Sequence, residues 1–151
     1  MKAMDVAKYF LNRANNEGDL ITNLKLQKLL YFAQAWYLVN FDQTLFNDEI
    51  KAWQWGPVIE SVYHQFKKFR HTPIIYKNKE KIEEKFSKAD LEFLGEFYGI
   101  FINYSAHDLL QMSHNDIPWQ EAHKSSSQTI NIESLKEFYM KKYEKLVGEK
   151  A

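Results

Sequence analysis

A mainly α-helical, compact domain built round a central buried helix, with a few short β-strands, is what this sequence predicts. Three observations carry that expectation. Between Leu24 and Val39 apolar residues fall on nearly every side of a 3.6-residue helix, so the segment must be covered from several directions. Stretches before and after it repeat helical apolar spacing behind recognisable start and stop signals. The 151 residues are 45% apolar and 16% aromatic, enough to bury a core without disulfides or metals. No internal repeat or inter-domain linker interrupts them, so residues 1–151 are expected to form one domain.

The first helix is expected from Met4 to Asn15, with Val6, Ala7, Phe10, Leu11 and Ala14 in register and Gly18 suited to a left-handed C-terminal cap. The central helix follows. Leu26, Leu29, Leu30, Ala33, Trp36 and Tyr37 form one broad apolar face, while Leu24, Tyr31, Ala35 and Leu38 lie opposite. Only Lys25, Gln27, Lys28 and Gln34 interrupt this surface, and Asn23 or Thr22 can cap its first turn. The run is too short, and too polar at Gln34, to span a membrane.

Asn40 to Asn47 reads as a link. A hairpin is expected from Leu45-Phe46 through an Asn47-Asp48 turn to Glu49–Trp53. Trp55-Gly56-Pro57 then opens a helix to Phe69, Pro57 having its φ preset for a first helical position. Val58, Ile59, Val62, Phe66 and Phe69 form its stripe, and Glu60, His64, Lys67 and Lys68 face away. Thr72-Pro73 breaks the helix. Ile74 to Tyr76 is expected as a short strand, and the Lys/Glu run after it as solvated.

Ser87 starts a helix to Ile102 carrying Leu91, Phe93, Leu94, Phe97, Tyr98 and Phe101. Gly95 and Gly99 on its other side mark either a close helix contact or an exposed turn. Ser105 with Asp108 starts a short helix bearing Leu109, Leu110 and Met112. Asp116-Ile117-Pro118 starts another, Lys124 to Gln128 is a loop, and Asn131 caps a last amphipathic helix with Ile132, Leu135, Phe138, Tyr139 and Leu146.

Twenty basic and twenty acidic residues cancel. The excess of cations that nucleic-acid binding needs is therefore missing. Eighteen of the twenty are lysines, and Arg13 and Arg70 are the only arginines to clamp phosphate or guanine in bidentate fashion. Having no cysteine excludes disulfides, thiol catalysis and thiolate metal sites, and fits a reducing cytoplasm. The N-terminus lacks the apolar core of a secretion signal.

Ser105, His107, Asp108 and His114 are the residue types of a hydrolase, but two of them have a capping role and no Gly-x-Ser-x-Gly elbow is present. His64, His107, His114 and His123 with Asp108, Asp116 or Glu121 offer metal-ligand types. None stands in a His-x-x-x-His or His-Glu-x-x-His pattern. Both nucleotide-binding glycine motifs are missing too. The expectation is a non-enzymatic binding domain with no cofactor and no metal. Its competitor is a metal-dependent or serine hydrolase, with His107, Asp108 or His114 lining a cleft. Lys25 and Lys28 are more informative, because a cation on an apolar helix must snorkel, pair, or face a partner.

Lys25-Leu26-Gln27-Lys28-Leu29-Leu30-Tyr31-Phe32-Ala33 is followed by Ala52-Trp53-Gln54-Trp55-Gly56-Pro57-Val58 and Val62-Tyr63-His64. Tyr104-Ser105-Ala106 with Leu109, then Ser113-His114 with Pro118-Trp119, come later in the same order. This ordered set resembles the Panacea domain, or SocA-like antitoxin domain, of bacterial and prophage toxin–antitoxin systems, and runs from about Met4 past Trp119. The resemblance implies a mostly helical fold with a few short strands and an antitoxin that binds a cognate protein toxin. It also implies an alternative, an adaptor that delivers the toxin to a protease. Affinity for such a partner should come from aromatic anchors inside a polar rim. Lys28, Tyr31, Trp55 and His64 are the candidate partner-binding residues, and the bland alternative makes Tyr31 and Trp55 core residues and pairs Lys28 internally.

Overall fold

The computed structural model of the protein describes residues 1–77 and 80–150. Among them are seven helices: α1 (Ala3–Glu17), α2 (Asn23–Phe41), α3 (Glu60–Phe66), α4 (Lys88–Phe101), α5 (Ala106–His114), α6 (Ile117–Lys124) and α7 (Ile132–Lys150). Two strands, β1 (Lys51–Trp53) and β2 (Gly56–Val58), make one hairpin. No described helix is long and apolar enough to cross a membrane.

α2 is the axis. α1, α3, α4, α5, α7 and β2 all pack against it, as an all-round apolar surface requires. Leu26, Leu29, Leu30, Tyr31, Phe32, Ala33 and Ala35 are fully or almost fully buried. Thr22 Oγ1 caps the helix by accepting the Lys25 N–H at 3.2 Å. Its buried amides are clamps. Gln34 donates to the Phe46 carbonyl and accepts the Leu45 N–H, both at 2.7 Å, which pins the following loop. Gln27 Oε1 accepts the Ile59 N–H at 2.8 Å, and Asn23 Nδ2 donates to the Tyr63 carbonyl at 3.0 Å, so two amides hold the start of α3. Each meets a backbone group that burial would otherwise leave unpaired.

The hairpin is displaced from its expected place. β1 pairs antiparallel with β2, Lys51 opposite Val58 and Trp53 opposite Gly56, so the turn is Gln54-Trp55 rather than Asn47-Asp48. Asp48 is engaged elsewhere, accepting the Ala3 N–H at 2.9 Å and the Ser61 hydroxyl at 3.0 Å. Gly56 supplies the backbone the turn needs, with φ +117°. Pro57 therefore lies in a strand, and α3 starts three residues later. Its partner Ala52 directs its own N–H to the Gln128 carbonyl at 2.7 Å, so no ladder bond is lost at the proline.

Ile74 to Tyr76 forms no strand. The contact there is a single bridge between Thr22 and Pro73, and Ile75 is exposed. In the Lys/Glu run, Asn78 and Lys79 lie outside the described residues, but Ile82–Lys85 is a 3-10 turn docked on α1, with Ile82 buried. Asn12 donates to Glu83, and Lys8 and Lys85 pair with Glu80 and Asp5. The two glycines of α4 divide the two readings between them. Gly95 accepts Arg13 through its carbonyl at 3.0 Å, and a Cβ there would lie 3.5 Å from that guanidinium, whereas Gly99 faces open space.

Candidate partner-binding surface

Lys28 stands on α2 beneath the hairpin tip, only 2% exposed. Its ammonium donates to the Leu24 carbonyl at 3.2 Å, one turn back in the same helix. Gly56 closes over the stem: a Cβ there would lie 3.2 Å from Lys28 Cε. Burial disfavours the charged form and brings its pKa from 10.5 down to about 8. Lys25, half buried, reaches the Ile102 carbonyl at the end of α4 at 2.8 Å, where a cation meets the negative end of a helix. Burial lowers its pKa, and Asp19 opposes that shift.

Tyr31 is also interior. Its hydroxyl donates to Asp116 Oδ2 at 2.7 Å, and the Tyr139 hydroxyl donates to the same oxygen. All three side chains are buried, so this knot ties α2, the start of α6 and α7 together. Burial pushes the Asp116 carboxyl up, against the lowering pull of the two hydroxyls and of Lys142 at 3.9 Å. Burial likewise raises both tyrosines. Asp116 occupies the N-cap position of α6 but makes no capping bond with its side chain. Lys28 and Tyr31 therefore lie in the interior of the folded domain, Lys28 under the hairpin and Tyr31 at the junction of α2, α6 and α7, rather than on its surface beside Trp55 and His64.

Trp55 and His64 are exposed, Trp55 at 46%. They end one chain of edge-to-face rings. Trp55 meets Trp53 at 5.9 Å, Trp53 meets Tyr63 at 5.3 Å, and Tyr63 meets His64 at 5.6 Å between centroids. The hairpin and α3 thus present one aromatic surface fixed from within. Lys67, Arg70 and His71 flank a cavity of about 200 Å³ beside Trp55, Tyr63 and Leu24. Of these basic residues the sequence placed only Lys67 on the outer face of a helix, and Arg70 stood out only as one of two arginines. Their signal is the run Lys67-Lys68-Phe69-Arg70-His71.

The hydrolase set is dispersed over other tasks. Ser105 and Asp108 form a reciprocal capping box, the Ser105 hydroxyl accepting the Asp108 N–H at 3.0 Å. His107 is exposed. His114 stacks on Trp119 at 4.1 Å, and Trp119 stacks on His123 at 4.7 Å. His123 Nδ1 lies 2.8 Å from the Ala52 carbonyl, joining α6 to β1. Burial lowers the His114 pKa, His123 and Lys28 adding to the shift and a hydrogen bond to the Gln54 backbone opposing it. Among the described residues no three His, Asp or Glu side chains are grouped to hold a metal ion.

A family model described as "Antitoxin SocA-like, Panacea domain" matches residues 26–120, from the first turn of α2 into α6. Antitoxin SocA of Caulobacter vibrioides (strain NA1000 / CB15N) is 44% identical over 64 residues, which cover 42% of this chain and 34% of that protein. The similarity thus spans about a third of that relative's length. No solved structure matches the chain significantly. The family match covers more than half of the chain and takes in α2, the hairpin and α3, the elements that build the aromatic surface; the chain belongs to the SocA-like Panacea-domain family.

Proposed function

We propose that this protein is a cytoplasmic antitoxin that neutralises a cognate protein toxin by binding it directly, residues 1–151 acting as one Panacea domain. Membership of the SocA-like antitoxin family is the observation that carries this reading. The exposed aromatic surface at Trp55 and His64 supports it, since rigid amphipathic rings are what protein interfaces use as anchors. Lys28 and Tyr31 serve that surface from below, by holding the hairpin and α2 in place.

Toxin and antitoxin genes commonly lie side by side, so the partner to test is the product of the adjacent reading frame. Expressed alone it should stop growth, and co-expression of this protein should restore it. A neighbour that is harmless alone, or lethal with this protein present, defeats the reading. Toxin half-life in the rescued cells separates direct inhibition from protease delivery. Restored growth at unchanged toxin level excludes the adaptor.

A further inference from the structure

We infer that the cavity between the hairpin tip and the end of α3 is an anchor site for an acidic segment of the protein partner, with Lys67 and Arg70 as its specificity-determining residues. The inference rests on the antitoxin reading above and names the chemistry of the toxin surface that docks there. The cavity holds about 200 Å³, below the usual range for a drug-sized ligand or cofactor and suited to one or two side chains. Leu24, Trp55 and Tyr63 supply apolar walls, and Asn23, Lys67, Arg70 and His71 supply the polar lining. Among the described residues no carboxylate lines it. Among them, too, neither Lys67 nor Arg70 has an ion-pair partner, although seven other ion pairs form across the molecule.

In a chain whose charges cancel overall, two cations left without acids beside a half-exposed tryptophan are a local excess that a complementary acidic surface would neutralise. The Arg70 backbone adds an independent observation. It has φ +54° and ψ −123°, a region that glycine occupies far more cheaply than a residue with a Cβ. An arginine held there at the mouth of a cationic cavity points to use of its side chain rather than to the needs of the turn. Carboxylates suit this guanidinium well, because its planar fork binds them in bidentate geometry. An acidic polypeptide is favoured over nucleic acid, since one arginine and a pocket of this size give no track for a phosphate backbone.

Fluorescence anisotropy with a labelled oligo-glutamate peptide tests the site without the toxin. An oligo-lysine peptide and an oligo-thymidylate of equal charge serve as comparisons. The glutamate peptide should bind, quench Trp55 fluorescence and weaken as salt rises. Lys67→Glu with Arg70→Glu should lower its affinity at least about tenfold. Arg70→Gly should also lose affinity, while its melting temperature stays level or rises because the backbone is relieved. No binding of the glutamate peptide, unchanged binding in both variants, or tighter binding of the oligo-thymidylate overturns the proposal. Co-expression then separates the two readings. If the wild type restores growth and Lys67→Glu/Arg70→Glu restores it equally well, the acidic-segment proposal fails and the antitoxin reading stands. If the wild type does not restore growth, the antitoxin reading fails, and the toxin docking proposed here falls with it.

Discussion

Lys28 carries a charge into the interior with, among the described residues, a single backbone carbonyl as its hydrogen-bond partner, and that has a defined cost. Its pKa falls from 10.5 in an unfolded chain to about 8 in the fold, a difference worth about 3 kcal/mol. Below about pH 8 both states hold the proton and the penalty is complete. Between about 8 and 10.5 the unfolded chain binds the proton and the folded one does not, so stability rises with pH. Lys28→Met should therefore raise stability near neutral pH by about 1–3 kcal/mol, and the rise from about pH 7.5 to 9.5 should vanish. Urea unfolding at the two pH values checks this, and a variant less stable than the wild type at both would contradict it. Asp116 gives the opposite case, because two buried hydroxyls depend on it. Asp116→Ala should cost about 3 kcal/mol, whereas Asp116→Asn, which keeps an acceptor, should cost under half of that. Equal losses would show that the carboxylate charge matters more than the hydrogen bonds. The sequence left the burial of Lys28 as one of two readings and gave no sign of that of Asp116. Lys28 and Tyr31 stood out as polar groups in apolar surroundings, but the residue that claims Tyr31 lies 85 positions away. Trp55 and His64, by contrast, are exposed at the surface.

At the level of elements, caps and periodicity located the helices well. Gly18 ends α1 at φ +75°, Ser87 and Ser105 open α4 and α5, and Asn131 caps α7 by accepting the Ser134 N–H at 2.9 Å. The hairpin and the start of α3 were misplaced because tertiary partners decided them. Asp48 is drawn to Ala3 and Ser61, and Gln27 holds the Ile59 N–H, so the turn moves to Gln54-Trp55. The strand expected at Ile74 to Tyr76 failed for want of a neighbouring strand, its pairing being a bridge at Pro73. Gly56 is where this element is most sensitive, since its φ of +117° and its contact with the Lys28 stem both oppose a side chain. Gly56→Ala should cost about 2–3 kcal/mol. Gly18→Ala, with positive φ but open space, should cost about 1 kcal/mol. Parallel urea titrations check the order, and a costlier change at Gly18 would show that the packing over Lys28 is loose.

Over the whole molecule, one interior helix fixes a surface to which it adds only its first turn, Asn23 and Leu24 at the cavity. α2 buries its polar side chains to hold the hairpin and α3, and those two elements carry the exposed rings and the cationic cavity. Charges cancel over the chain as a whole while Lys67, Arg70 and His71 gather at one cavity, so the proposed docking rests on local complementarity rather than on a long-range field. In the proposed function this protein blocks its toxin by contact alone. The most direct measurement is the activity of the purified adjacent-frame toxin while the purified protein is titrated in, with no protease present. Activity should fall in proportion to added protein and reach zero at a fixed stoichiometry, and at toxin concentrations below the Kd Trp55→Ala should weaken binding by about 2 kcal/mol. Toxin that stays fully active at saturating protein, although the same pair restores growth in cells, would rule out inhibition by contact.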